Sequence, residues 1–232
     1  MKVAIHQPHY LPWLPYLMKI EECDAFIFLD SVDFQKNGLQ NRNQIKTSQG
    51  AHWLTVPVQQ RFGQKIRDVK IDNRVDWRRK HWQSIQQCYR KAAAFKSYER
   101  DLEELYSLPW TWLNELNIAL VTLMLRWTNI HTPIMMSSSM NGEGTASDLV
   151  LALCLEVGAK QYLSGTGGRN YLDHDAFEKA GVEIIYRPSV LCTEYPQLFP
   201  QAGFMNHLSA LDIILNCGER WRDYFPAWEI KT

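Results

Sequence analysis

Residues 2–30 read KVAIHQPHYLPWLPYLMKIEECDAFIFLD, and this stretch decides the fold. Val3 to His6 is a short apolar run of strand type, residues 14–23 carry apolar side chains at helical spacing, and Ala25 to Asp30 is again a strand-like run. Strand, helix and strand in so few residues imply a parallel crossover, since a parallel pair needs such a connection. Between the first strand and its helix lies HQPHYLPWLPYL, residues 6–17, with Pro8, Pro12 and Pro15 among two histidines, two tyrosines and a tryptophan. The prolines restrict φ and lower the entropy cost of holding those side chains in place.

Working outward, a polar stretch from residue 31 to 50 with Asn-Gly and Gln-Gly turn signals reads as a long loop or hairpin. HWLTVPV (52–58) and IRDVKID (66–72) read as strands. From Asp76 the period lengthens. Trp82, Ile85 and Tyr89, then Tyr98, Leu102, Leu105 and Tyr106, then Trp112, Leu116, Leu120, Leu123 and Trp127 mark three helices, the first capped by Asp76. Alternation then returns: strand TPIMMSS, a helix from Thr145 to Val157 stopped by Gly158, strand QYLSG, a short helix from Asp173 to Ala180 closed by Gly181, strand VEIIYRP, and a last helix in NHLSALDIILNCG. The expectation is one α/β domain over residues 1–232, with a mostly parallel, Rossmann-like or nucleotidyltransferase-like sheet and an all-helical insertion at about 76–127.

The totals limit the partners. The 25 basic and 25 acidic residues cancel, so no long-range field recruits nucleic acid or an anionic membrane. Five dispersed cysteines without a C-x-x-C pair argue against a disulfide framework or zinc ribbon and fit a reducing cytoplasm. There is no signal-peptide pattern at the N-terminus, and the longest apolar run, residues 117–127, is too short for a membrane span and contains Arg126. No metal-ligating motif is found.

In an open parallel sheet, ligands sit beyond the carboxyl ends of the strands. Four stretches could carry chemistry, the first two directly after predicted strands. In the first, His6 and His9 can titrate, donate or accept near neutral pH, and Tyr10 and Trp13 can stack on a planar or sugar ligand; the alternative is that the histidines bond backbone and the aromatics seal the sheet edge. In the second, SGTGGRNYLD, Gly165, Gly167 and Gly168 free the backbone to turn N–H groups toward an anion, with Ser164, Thr166 and Arg169 adding hydroxyls and a cation; the alternative pairs Arg169 with Asp173 or Asp175. In the third, Arg42 and Lys46 could hold an anion and Asn41 and Asn43 read hydroxyls, after Asp30, Asp33 and Lys36; a solvated hairpin explains them equally. The fourth places Glu143 before a helix start at Thr145, where capping alone accounts for Thr145 and Asp148.

HQPHYLPW, FLDSVDFQKNGLQNRNQIK, WLTVPV, DWRRKHWQSIQQCYRKAAAF, YLSGTGGRNYLD and LSALDIILNCG, in this order, resemble the WbqC-like family of bacterial proteins over nearly the whole chain. Pro15 stands where the family pattern has glycine. The resemblance implies a cytoplasmic protein of O-antigen or other surface-polysaccharide synthesis that modifies an activated sugar, such as a nucleotide sugar, by attaching an amino acid (glycine) or an acyl group. It singles out His6, Gln7, Tyr10, Trp13, Arg42, Asn43, Gly167, Arg169, Asn170 and Tyr171. The H-x-x-H of His6 and His9 is also similar to that of H-x-G-H nucleotidyltransferases and pantothenate synthetases, with Pro8 in place of the glycine. That likeness implies a nucleotidyltransferase or adenylate-forming ligase with ATP and Mg²⁺; a non-catalytic sugar-binding module is the third reading.

Overall fold

The computed structural model describes residues 1–188 and 192–225. Strand β1 (Lys2–His6) pairs in parallel with β2 (Ala25–Phe28) through Val3↔Ala25 to His6↔Phe28, and α1 (Leu14–Glu21) is the crossover between them. Pro15 lies in the first turn of α1, where its missing N–H costs no helical bond. The chain then builds a hairpin of β3 (Arg42–Thr47) and β4 (Gly50–Thr55), and a second, minimal antiparallel pair of β5 (Val58–Gln59) and β6 (Lys70–Ile71). Three helices follow: α2 (Trp77–Tyr89), α3 (Phe95–Ser107) and α4 (Leu113–Trp127). The rest is β7 (Ile134–Met136), α5 (Ala146–Glu156), β8 (Gln161–Gly165), α6 (His174–Lys179), β9 (Glu183–Arg187) and α7 (Ala210–Cys217).

The central sheet has five parallel strands in the order β7-β2-β1-β8-β9. Counted along the chain, its strands run third, second, first, fourth, fifth, so the winding reverses between β1 and β8. Period-two alternation divides its core. Ala4, Phe26, Phe28 and Leu163 face α1, α2, α3, α4 and α7, whereas Val3, Ile5, Ala25, Ile27 and Tyr162 face α5 and α6. A sheet covered on both faces needs near-continuous apolar strands, which accounts for KVAI and AFIF.

Several expected elements take a different form. HWLTVPV is split at Pro57, which lacks a ladder donor: residues through Thr55 pair with β3, and Val58 pairs with β6. IRDVKID is a 3₁₀ turn at Ile66–Asp68 followed by the two residues of β6, because Ile66 N–H and Arg67 N–H bond the Val32 and Asp30 carbonyls. Asp76 precedes α2, and its carboxylate pairs with the Arg79 guanidinium in the first turn. The last helix starts at Ala210, where Ser209 Oγ accepts from Leu211 N–H. Asp173 does cap α6, accepting from Ala176 N–H, and Gly158 and Gly181 follow α5 and α6 in the left-handed region (φ +70 each).

Candidate functional site

His6 is the last residue of β1 and points to the face where α1 packs. Its Nδ1 lies 3.1 Å from the Gln7 carbonyl, which can only accept, so Nδ1 carries the proton and Nε2 keeps its lone pair. The His9 ring meets the His6 ring edge-on at 4.7 Å, and Tyr16 from α1 packs against both, at 4.9 Å from His6 and 5.2 Å from His9. Beneath them, buried Lys19 donates to the Ile5 carbonyl at 3.0 Å. Burial holds the His6 pKa well below the ordinary histidine value, and the neighbouring His9 and Lys19 charges push the same way. Burial, then Lys19, takes His9 down to about 4, and burial takes the Lys19 amine down to about 8. At neutral pH both rings are uncharged, and His6 presents an imidazole that can take a proton.

At the end of β1 lies a crevice of about 150 Å³ lined by Ile5, His6, Gln7, Leu29, Val150, Tyr162 and Tyr171. These residues come from the carboxyl ends of β1 and β2, from α5, from β8, and from the turn after β8. The crevice therefore lies at the point where the winding of the sheet reverses, the place such sheets keep for ligands. Gln7 Oε1 accepts from Gln40 Nε2 at 2.8 Å, which leaves the Gln7 amide N–H groups as donors. Burial raises the pKa of both Tyr162 and Tyr171, so each hydroxyl keeps its proton.

The rim is tied down by two polar hubs. Asn117 Nδ2 of α4 donates to the Gln40 carbonyl (2.7 Å) and the Pro8 carbonyl (3.3 Å), joining helix, proline loop and the Gln40 segment. Asp30, fully buried just after β2, accepts from Ser137 Oγ, Ser138 N–H, Ser138 Oγ and Asn114 Nδ2 at 2.8 to 3.1 Å. Four donors satisfy its carboxylate, so it locks the ends of β2 and β7 together.

Of the residues singled out in the sequence, the structure brings His6, Gln7 and Tyr171 together at the crevice, with His9 directly behind His6. Tyr10 is instead fully buried, its hydroxyl 2.8 Å from His81 Nδ1 and 2.6 Å from Tyr106 OH. Leu11, at φ 43, turns the chain and sends Tyr10 under α2 and α3. Trp13 is half-buried, stacks on His207 and bridges to Ser209. Asn43 Nδ2 donates to the Leu11 carbonyl at 2.6 Å, and Arg42 donates to the Asn37 carbonyl with its guanidinium 4.5 Å over the Trp53 ring. Tyr10, Trp13, Arg42 and Asn43 thus shape and brace the loops.

The second stretch follows β8 at the carboxyl ends of the strands. Thr166–Asn170 is a 3₁₀ turn, and Gly165, Gly167 and Gly168 all have ordinary negative-side φ values, so no left-handed cradle forms. Gly168 is there for close packing: a Cβ would collide with Ser164 Oγ and lie 2.9 Å from Leu172 Cδ1. Ser164 Oγ donates to the Gly165 carbonyl. Exposed Arg169 stacks on the Tyr186 ring at 4.5 Å, and among the described residues no ion pair joins it to Asp173 or Asp175. Thr166, Gly167 and Asn170 are exposed beside it.

Tyr162, Gln40, Asn117 and Lys19 were not anticipated. Lys19 carried a readable signal, a lysine on the apolar face of α1 between Tyr16 and Ile20. Among the described residues, no group of three or more His, Cys, Asp or Glu side chains is placed to hold a metal, and no helix is long and apolar enough to cross a membrane. All five cysteines are free.

The WbqC-like protein family model matches residues 7–224. The uncharacterized protein Rv1507c of Mycobacterium tuberculosis is 34% identical over 226 residues, covering 96% of each chain. No solved structure matches. With the match spanning four of the five sheet strands and both loops of the crevice, the chain belongs to the WbqC-like protein family.

Proposed function

We propose that the crevice between β1 and β8 is the reaction centre of a cytoplasmic transferase that moves a small acyl or aminoacyl group, such as glycyl, to the amine of an activated sugar in surface-polysaccharide synthesis. The observation that carries this reading is the neutral His6, with its lone pair on Nε2, at the reversal point of the sheet. As the sugar amine attacks the acyl carbonyl, a C–N bond forms, His6 Nε2 takes the amine proton, and the bond to the donor's leaving group breaks. Gln7 amide N–H and the Tyr171 hydroxyl are the donors available for the transient oxyanion. Burial of the His6 ring itself, with the neighbouring Lys19 charge pushing the same way, keeps it neutral. A volume of about 150 Å³ suits the transferred group rather than the whole activated sugar, since sites for drug-sized ligands run to roughly 300–1,000 Å³.

The test is a mass-spectrometric screen. The protein is incubated with UDP-amino sugars and either glycine, ATP and Mg²⁺ or acyl-CoA thioesters. The expected result is one glycyl or acyl group gained by the sugar, with His6→Asn slower by about 10²- to 10⁴-fold at unchanged melting temperature. No group gained with any pair, or full turnover in His6→Asn, would contradict the assignment.

A further inference from the structure

A groove of about 1280 Å³, larger than the crevice, lies between the residues after β2, the end of β4 and the β5–β6 connection. Its walls carry Phe34, Lys36, Asn41, Arg61, Phe62 and Lys70. The groove starts next to the reaction centre: Gln40 donates a hydrogen bond to Gln7 of the crevice, and Gln40 is followed by Asn41.

Three features of these walls point to a ligand. First, the charge is uneven. Asp72 is taken up by Arg74 through two bonds of 2.7 and 2.8 Å, and the Asp68 carboxylate lies near Arg67, whereas among the described residues no carboxylate pairs with Lys36, Arg61 or Lys70. Lys70 rests over the Trp112 ring and Lys36 and Arg61 project from opposite loops, so the free positive charge is spread along the groove. Second, Asn41 is 8% exposed and its Oδ1 has no partner. Its Nδ2 donates to the Val56 carbonyl at 3.0 Å, which fixes the amide orientation and leaves Oδ1 as a pure acceptor. An orphaned buried acceptor is costly until a ligand N–H or O–H reaches it. Third, Phe62 is fully exposed at the tip of the loop beside Gly63 (φ +70), where its ring buries nothing, while Phe34 lines the same groove.

We propose that this groove is a second ligand site that takes a nucleoside diphosphate, with Lys36, Arg61 and Lys70 meeting the phosphates, Phe62 covering the base or ribose, and Asn41 Oδ1 receiving an N–H or O–H. A single carboxylate or phosphate would leave most of this spread positive charge unanswered, and a bare polyanion would use neither the phenylalanines nor Asn41. The proposal rests on the transferase reading only for its consequence, that the nucleotide part of the activated sugar lies in the groove while the sugar amine reaches His6.

Isothermal titration of UDP, ADP, GDP, CDP and inorganic pyrophosphate into the full chain at low ionic strength tests it. The expected result is one-site binding of at least one nucleotide, weakened by added salt, with pyrophosphate about tenfold or more weaker. Arg61→Ala and Phe62→Ala each weaken binding about tenfold at unchanged melting temperature, both side chains being exposed. His6→Asn leaves the nucleotide affinity as it was. Absence of binding by all four nucleotides, pyrophosphate binding as tightly as the nucleotides, or affinity indifferent to both groove variants would overturn the proposal. The two readings fail separately: His6-dependent transfer with no effect of the groove variants removes the groove and spares the reaction centre, and groove-dependent binding with His6-independent transfer does the reverse.

Discussion

Lowering the pH from 7 to 5 is expected to weaken the fold by about 4 kcal/mol through His9 and His81 alone. Burial is the largest cause of each depression, taking both to about 4. In the unfolded chain a histidine titrates near 6.5. The folded pKa lies below the unfolded one, so the stabilising contribution is present above about 6.5 and is lost as the pH falls toward 4, because the unfolded chain takes the proton first. Over the 1.5 units between about 6.5 and 5, each group forfeits about 2 kcal/mol at about 1.36 kcal/mol per unit. His6 adds to the loss with the same sign. Asp212 opposes it: burial raises its pKa, so the folded state takes up that proton more readily as the pH falls. Urea denaturation followed by tryptophan fluorescence at pH 7 and pH 5 measures the sum, and a His9→Gln/His81→Gln double variant isolates the two rings, since Asp212 and His6 titrate in both proteins. The wild-type midpoint should fall by roughly 1–2 M urea between the two pH values, and the variant should recover most of that fall. Equal losses in the two proteins would refute the burial argument.

Tyr10→Phe is expected to cost about 1–2 kcal/mol, read as a lower melting temperature, by removing the hydroxyl shared between His81 and Tyr106, and to leave ligand binding and turnover unchanged. Gly168→Ala should cost about 1–3 kcal/mol in a urea titration and reduce turnover, because its methyl meets Ser164 and Leu172 under the turn that carries Tyr171. Asn117→Ala should lower the melting temperature by an amount equivalent to about 2 kcal/mol, since the buried Gln40 and Pro8 carbonyls lose their shared donor.

The strands and the helical middle were legible because burial on both faces writes KVAI and AFIF as unbroken apolar runs, and because Trp82, Ile85 and Tyr89 recur at helical steps. The position of β8 beside β1 was not, since it depends on pairing between residues about 160 apart in the chain, such as Val3 with Tyr162. The same distinction holds at the site. His6 ends β1 and Tyr171 lies just past the turn after β8, both within the two stretches singled out at carboxyl ends of strands. Tyr10, four residues further on, shares their chemistry but is turned inward by the left-handed Leu11, a conformation that leucine gives no reason to expect. The glycine-rich SGTGG suggested a backbone freedom that the 3₁₀ turn does not use; one of its glycines instead allows close packing on Ser164. The groove escaped notice because its lining comes from three loops, each of which alone reads as a solvated polar segment.

The protonation state of His6 tests the central claim most directly, without a known substrate. Long-range ¹H–¹⁵N correlation spectra of the wild-type protein, with the His6 signals assigned by loss in His6→Asn, report both ring nitrogens. The expected pattern from pH 7 to pH 6 is a neutral ring with Nδ1 protonated and Nε2 bare. An imidazolium at pH 7, or the proton on Nε2, would leave the crevice without a base.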